Sequence, residues 1–325
     1  MQDIADRLNV SKSTVSLVLS GKSAGRVSEQ VRNRVLATAR EMDYHLNELA
    51  RSLRVGSSNL ISVIVTDISN EFFGQMTFHI QEEAKKAGYL VLTINSNEND
   101  GEFEQMARIL ISKKVDGIIA VPTPAGATAL KMIQDQKVPL VTVDRLCEGV
   151  DADYVGVDNY EASKKSVSEL IAQGFRDIIM MRLDLDIPPL NERERGYVDA
   201  MKEAGLEQYI DLHRIRFGEG MEEDLDRSLG KALKSDAVFF TSHRVFTEGM
   251  KNVAKVGGVP QGQCVLCFDD VRPYMTGTSD IRYIEQPIAQ IAQKAFELLL
   301  AKIRGEKSTG RYIFPTRSIT RQNFM

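Results

Sequence analysis

Apolar positions change their period once along this chain, near residue 59. Before that point they recur every three to four residues in short runs, the spacing of helices. Ile4, Ala5 and Leu8 share one face of a first helix, which "NVS" interrupts. Ser11 predicts the N-cap of a second helix, "KSTVSLVLS", that buries Val15, Val18 and Leu19 and stops at Gly21. A polar loop leads to Ser28, the cap of a third helix on which Val31, Val35, Ala39 and Met42 align. Two more helical turns, "NELARSLR", follow at 47–54. A helix that short is marginal in water, because nucleation is costly and few hydrogen bonds repay it.

Beyond "GSSN" the pattern becomes continuous apolar runs alternating with amphipathic stretches. Strands are expected at "LISVIVTD", "YLVLTINS", "VDGIIAVP" and "VPLVTVD", separated by helices over 72–87, 101–114 and 126–136. After "YVGVDN" a second set begins, with helices over 160–173, 191–204, 222–234 and 244–256. Its strands are "DIIMMRL", a run near 212–217, "AVFFTS" and "CVLCFDD", and a last helix spans 287–304. Apolar strands joined by helices mean parallel sheets covered on both faces. The expected fold is α/β, with two doubly wound parallel-sheet lobes preceded by a small all-α helix-turn-helix domain and a short joining helix. The boundaries are 1–45 for the helical domain, 46–58 for the joint and 59–325 for the two lobes. Doubly wound sheets bind ligands at the carboxyl ends of their strands.

Three short helices with a tight first turn describe a helix-turn-helix unit, whose second helix enters the major groove. The residues presented there are Ser11, Lys12, Ser13 and Thr14, then Ser16 and Leu17 one turn on. Lys12 suits a guanine edge or a phosphate, and the hydroxyls suit either. Charge supports this division. The chain carries −4 overall, yet residues 1–58 hold nine basic and six acidic side chains, a balance of +3 that leaves −7 for the remainder. A basic head on an acidic body fits a polyanionic partner.

Three cysteines are too few for a disulfide scaffold, the opening "MQDIADRLNV" is not a signal peptide, and no run approaches a membrane span. A cytoplasmic setting is expected. "CVLC" has the C-x-x-C spacing, but strand residues three apart point to opposite faces, so Cys264 and Cys267 read as strand residues. His45, His79, His213 and His243 form no metal signature, and no nucleophile elbow, Walker loop or G-x-G-x-x-G is present. No catalytic residues, metal or cofactor are expected.

Taken in order, "MQDIADRLNVSKSTVSLVLSG", "VSEQVRNRVLATAREMDYHLNELARSLR" and "LISVIVTDISNEFFGQM" resemble the lactose-repressor/galactose-repressor family of bacterial transcription regulators. The resemblance runs through "FDD" and "IEQP" to the end of the chain. It implies a homodimer on double-stranded operator DNA, acting as a repressor under a small carbohydrate-like effector held between two lobes. It also implies that "NELARSLR" is a hinge helix that orders on DNA, pairs with its partner in the minor groove and inserts Leu53 between base pairs. Such a wedge costs a few kcal/mol of unstacking and gains the contacts of bent DNA. Asn47 would cap that helix, Ala50 would allow close pairing, and Arg51 and Arg54 suit phosphates or the groove floor.

The same resemblance places lobe crossings near 158–160, 285–288 and 314–317. One lobe then comprises about 59–158 and 287–314, the other about 159–286 and 315–325. Strand ends supply the effector candidates: Phe72 and Phe73 to stack on a sugar face, Ser96, and Asp144 beside Arg145. Arg193, Asp269 and Gln286 match family positions that hold the effector. Three departures stand out. Leu17 and Leu46 replace a common arginine and proline, and "His243-Arg244" replaces a common Asn-Asp pair. A cation and an imidazole there point to an effector with an acidic group. The alternatives are a regulator that needs a corepressor or protein partner, and a carbohydrate-binding protein without DNA function.

Overall fold

The computed structural model describes residues 1–21, 23–44, 57–275, 279–306 and 308–320. The chain divides into two compact units, Met1–Ser58 and Asn59–Met325. Asn47, Ala50, Arg51, Leu53 and Arg54, the predicted hinge residues, lie outside the described residues.

In the first unit, helices α1 (Gln2–Leu8), α2 (Lys12–Leu19) and α3 (Glu29–Glu41) surround a core of Ile4, Ala5, Val15, Val18, Val35 and Ala39. Asn9 takes the left-handed conformation (φ 52°) that ends α1 and allows the tight turn. The Arg7–Glu41 ion pair (3.0 Å) joins α1 to the end of α3. Leu8, Leu19 and Val31 are only half-buried at the rim of this core, and Met42 is 37 % exposed because it caps α3 just where Asp43 turns the chain (φ 45°). Tyr44 packs against the core instead, its N–H bonded to the Ala39 carbonyl at 2.8 Å.

The second unit holds two six-stranded sheets. The first contains β1 (Leu60–Val65), β2 (Leu90–Asn95), β3 (Gly117–Ala120), β4 (Leu140–Val143), β5 (Asp153–Val157) and β11 (Arg311–Phe314), in the order β11-β5-β4-β3-β1-β2. The second contains β6 (Ile178–Leu183), β7 (Asp211–Ile215), β8 (Ala237–Phe240), β9 (Cys264–Phe268), β10 (Asp280–Glu285) and β12 (Arg317–Ile319), in the order β12-β10-β9-β8-β6-β7. All pairings are parallel except β10 with β12. Helices α4 (Glu71–Lys86), α5 (Asp100–Ser112) and α6 (Ala127–Asp135) connect the first sheet. Helices α7 (Asn159–Ala172), α8 (Pro188–Glu203), α9 (Met221–Ala232) and α10 (His243–Lys255) belong to the second, and α11 (Ile288–Ile303) returns to pack on α4 and β4. The chain thus passes between sheets after Val157, after Glu285 and between Phe314 and Arg317.

Alternation explains why the strands read as unbroken apolar runs. Ile61, Val63 and Val65 enter one cluster while Ile64 enters another, so both faces of β1 are buried. Cys264 and Cys267 likewise fall into different clusters on opposite faces of β9. Helix α8 starts three residues earlier than its apolar period suggests, because Pro188 and Pro189 fill its first turn, where no N–H partner is needed. Gly196 lets α8 approach α7 closely, since a Cβ there would stand 2.5 Å from the Tyr160 carbonyl oxygen.

Candidate functional site

Two surfaces carry candidate chemistry. On the helical unit, Ser11 caps α2 by accepting from the Thr14 N–H at 3.0 Å. Its hydroxyl also meets those of Ser13 (2.6 Å) and Thr14 (2.8 Å). This network fixes the start of α2 and leaves Lys12 and Ser13 exposed on its first turn. Ser16 and Leu17 are partly exposed one turn further on. The face therefore combines one flexible cation with short hydroxyls and one apolar side chain, suited to phosphates, base edges and a thymine methyl.

The second surface is the cleft between the two sheets, at the carboxyl ends of their strands. Asp144 follows β4 and Asp269 follows β9, equivalent places in the two strand orders. Both are in the left-handed region, at φ 63° and 86°. Both backbone N–H groups bond the next strand, Asp144 to Val155 O (3.1 Å) and Asp269 to Ile284 O (3.0 Å). Holding an aspartate in that conformation costs roughly 1–3 kcal/mol, a strain that clusters at ligand sites.

Arg193, 4 % exposed, reaches the cleft from α8. Its Nε donates to Asn159 Oδ1 (2.9 Å), its Nη1 to the Thr241 carbonyl (2.6 Å), and its guanidinium lies 3.5 Å from the centre of the Phe268 ring. Asp269 accepts from Gln286 Nε2 (2.6 Å) and from the His243 N–H (3.1 Å). Gln286 sits at a crossing between sheets, so it links Asp269 to the path of the chain. Burial pushes the Asp144 carboxyl above the usual carboxylate range, against the pull of Arg145 and Arg193 and with the help of Asp269. Burial likewise lowers Arg193, opposed by Asp269 and Asp144.

Phe72 and Phe73 pack edge-to-face with ring centres 5.1 Å apart, and both line the cleft while being about 95 % buried. An inner cavity of about 50 Å³ gathers Asp144, Arg193, Asp269 and Gln286. An adjoining cavity of about 350 Å³ shares Phe72, Asp269 and Gln286 with it and adds His243. The inner space is well below the roughly 300–1,000 Å³ of small-molecule sites, whereas the adjoining one lies within that range. Ser96 is the exception among the expected residues. It is fully buried, and both its N–H (2.9 Å) and its hydroxyl (3.3 Å) turn to Val65 O, so its side chain is spent on the sheet and does not reach the cleft.

Sequence reasoning passed over Glu98 and Phe217. Glu98 holds Arg145 through two bonds (2.5 and 2.7 Å), and Phe217 lines the inner cavity just beyond β7; Asn70, readable as a cap, starts α4 at the cleft edge. The aromatic after that strand was the available signal; the Glu98–Arg145 pair spans 47 residues and had none.

Comparison with known proteins agrees with this layout. The family described as "Bacterial regulatory proteins, lacI family" matches residues 1–47, and that described as "Periplasmic binding protein domain" matches residues 61–307. The chain is 26 % identical over 319 residues to the HTH-type transcriptional regulator KdgR of Bacillus subtilis, covering 96 % of this chain and 94 % of that protein. It is 28 % identical over 311 residues to the HTH-type transcriptional repressor CytR of Escherichia coli, covering 94 % and 90 %. The crystal structure of the Cra transcriptional dual regulator from Pseudomonas putida, in complex with fructose 1-phosphate, shares the fold at a TM-score of 0.71 and 19 % identity, covering 81 % of this chain and 98 % of that one. None of the described helices is long and apolar enough to cross a membrane. A helix-turn-helix head joined to a two-lobed binding domain, matched along nearly the whole length of such regulators, places this chain in the lacI family of bacterial regulatory proteins.

Proposed function

We propose that the protein is a cytoplasmic transcriptional repressor that binds operator DNA as a homodimer and releases it when a carbohydrate-like effector enters the cleft. The observation that carries this reading is the union, in one chain, of a Ser11-capped reading helix with a cleft where strained aspartates from both sheets converge on Arg193. Carboxylate, guanidinium and amide groups around two aromatic rings suit a polyhydroxylated ligand. Ser11, Lys12, Ser13, Thr14, Ser16 and Leu17 contact the major groove in this reading. Phe72, Phe73, Asp144, Arg193, His243, Asp269 and Gln286 contact the effector. Binding rather than catalysis is the work of the cleft.

The dimer is favoured by the outer edge of the first sheet. Leu90 (72 % exposed) and Leu92 (40 %) lie on β2, and Phe78 (54 %) lies on α4, one turn from Gln81, whose amide meets Thr93 of β2 at 3.5 Å. An apolar edge strand left open invites pairing or aggregation, and a second copy covers it. A two-fold dimer then presents two reading helices to a pseudo-palindromic site. The test is a gel shift of the full chain on the palindromic sequence upstream of its own gene. Specific, salt-dependent retardation is expected, relieved by the effector. Retardation only in the presence of a ligand reassigns that ligand as a corepressor, and no specific shift at all rejects the reading. Leu53→Ala in the joint is expected to weaken operator binding and leave effector binding intact.

A further inference from the structure

Three guanidinium groups line the inner cavity: Arg145, Arg193 and Arg244. Arg145 is neutralised by its two bonds to Glu98. Arg193 is offset by the charges of the two strand-end aspartates and bonded to Asn159 and the Thr241 carbonyl. Arg244, in the first turn of α10, is placed differently. Among the described residues its one carboxylate neighbour within 4.0 Å is Glu248, which is drawn off by Lys251, bonded to both Glu248 oxygens at 2.9 Å. Its Nη1 crosses the cleft to the Ser69 hydroxyl at 3.3 Å, and its Nε is buried with no hydrogen-bond partner. Asp67, the remaining carboxylate nearby, is occupied by Ser69, accepting from its N–H (3.0 Å) and its hydroxyl (2.5 Å).

We infer, on the reading of the cleft as an effector site, that Arg244 receives a carboxylate of the effector, which is therefore a sugar acid. The guanidinium offers the planar fork that a carboxylate matches in a bidentate pair. It stands at the N-terminus of a 13-residue helix, capped by Ser242, whose dipole adds to the attraction for an anion. Four carboxyls around the inner cavity, Asp67, Glu98, Asp144 and Asp269, face three guanidinium groups, Arg145, Arg193 and Arg244, so the lining as a whole carries no excess of positive charge. Position, not total charge, singles out Arg244. With no excess of positive charge in the lining, one incompletely matched cation suits a single negative charge better than a phosphate monoester, which brings about −1.5 to −2. The incoming carboxylate takes the place of the Ser69 hydroxyl on Arg244. Ser69 leads into α4 on one sheet and Arg244 belongs to α10 on the other, so the exchange replaces a neutral contact across the cleft with a charged one mediated by ligand.

The test is calorimetric titration of the full chain with matched probes: glucose, glucuronate, gluconate and glucose 6-phosphate, then galactose, galacturonate and galactonate. At least one acid is expected to bind at least about tenfold more tightly than its neutral parent, an advantage that falls as salt is raised. Arg244→Gln is expected to remove at least about tenfold of that acid's affinity, with Arg244→Lys intermediate because it keeps the charge and loses the fork. The inference is overturned by a neutral parent that binds as tightly as its acid, a phosphate ester that binds best, an Arg244→Gln protein with undiminished acid affinity, or no binding by any acid of the panel. A neutral sugar that binds and releases operator DNA overturns it while leaving the regulatory reading in place.

Discussion

The two lobes repeat one strand order, parallel throughout except for the antiparallel β12, yet differ at their outer edges and in how they hold their cleft aspartates. At the outer edge of the first sheet, β2 exposes Leu90 and Leu92. At the corresponding edge of the second, β7 carries Asp211, His213 and Arg214, and these are tied down by Lys231 (2.7 Å to Asp211) and Glu194 (3.0 Å to Arg214). Charged side chains on an edge strand block strand addition, and apolar ones demand a cover. In the cleft, Asp269 is gripped by Gln286 and the His243 N–H, while the nearest cation to Asp144 is Arg145 Nε at 3.6 Å. One fold used twice has therefore kept a firmly held acceptor in the second lobe and a poorly compensated carboxyl in the first.

The largest effect is expected at the edges. Leu90→Asp with Leu92→Asp should convert the protein to monomer and weaken operator binding by on the order of 10²–10⁴-fold, the loss of a bivalent attachment. Sedimentation and gel shift read the two quantities. The matched change on β7, His213→Ala with Arg214→Ala, should leave the mass unchanged; dissociation by that pair would move the interface to the other lobe.

Arg193→Met comes next. It leaves Asn159 and the Thr241 carbonyl without their donor and takes away a buried charge that offsets Asp269 and Asp144, a loss expected to destabilise the fold by about 3–5 kcal/mol in urea denaturation. Removing both members of the other lobe's pair, Arg145→Met with Glu98→Leu, should cost less, because Glu98 leaves with its partner and only Asp144, 3.6 Å from Arg145 Nε, loses a nearby cation. Equal losses would mean that Arg193 is not special.

The aspartates give the smaller and opposite effects. Asp269→Asn keeps one accepting oxygen and sets an amide donor against the other of two groups that already donate, Gln286 Nε2 or the His243 N–H, and about 1–3 kcal/mol of stability is expected to go with it. Asp144→Asn removes a buried charge and should raise stability by roughly 0.5–2 kcal/mol while weakening effector binding. Its sign with pH follows from the raised Asp144 carboxyl. Such a group favours folding below the unfolded carboxylate range and loses that contribution as pH rises through its folded value. The gain from Asp144→Asn is thus expected to be small near pH 3 and to grow as pH rises above about 4, the unfolded aspartate range. A gain that shrinks with rising pH would contradict the placement of that charge.

Much of this was legible in the order of residues. The caps at Ser11, Ser28 and Asn70, the apolar strands and the helices between them depend on neighbours within a few positions, so local chemistry declares them. Asp144, Arg193, Asp269 and Gln286 could be singled out because strand ends and a family likeness pointed there. Ser96 could not be judged the same way. It follows a strand like the others, but at an edge strand its side chain turns inward to Val65 O. The open edge of β2 was equally hidden, since an apolar strand at the rim of a sheet has the same composition as one at the centre.

By itself, then, the sequence determined the helical head, the two alternating sets of strands and helices, and the residue types available at each strand end. Tertiary structure alone decided the pairings: Glu98 with Arg145 across 47 positions, Gln286 with Asp269 across 17, and Ser69 with Arg244 across 175. The physical reason is range. Helix periods, caps and strand alternation are set by contacts a few residues apart. The charge state and partner of a buried side chain depend on which distant strand ends the fold brings within about 3 Å, the reach of a hydrogen bond.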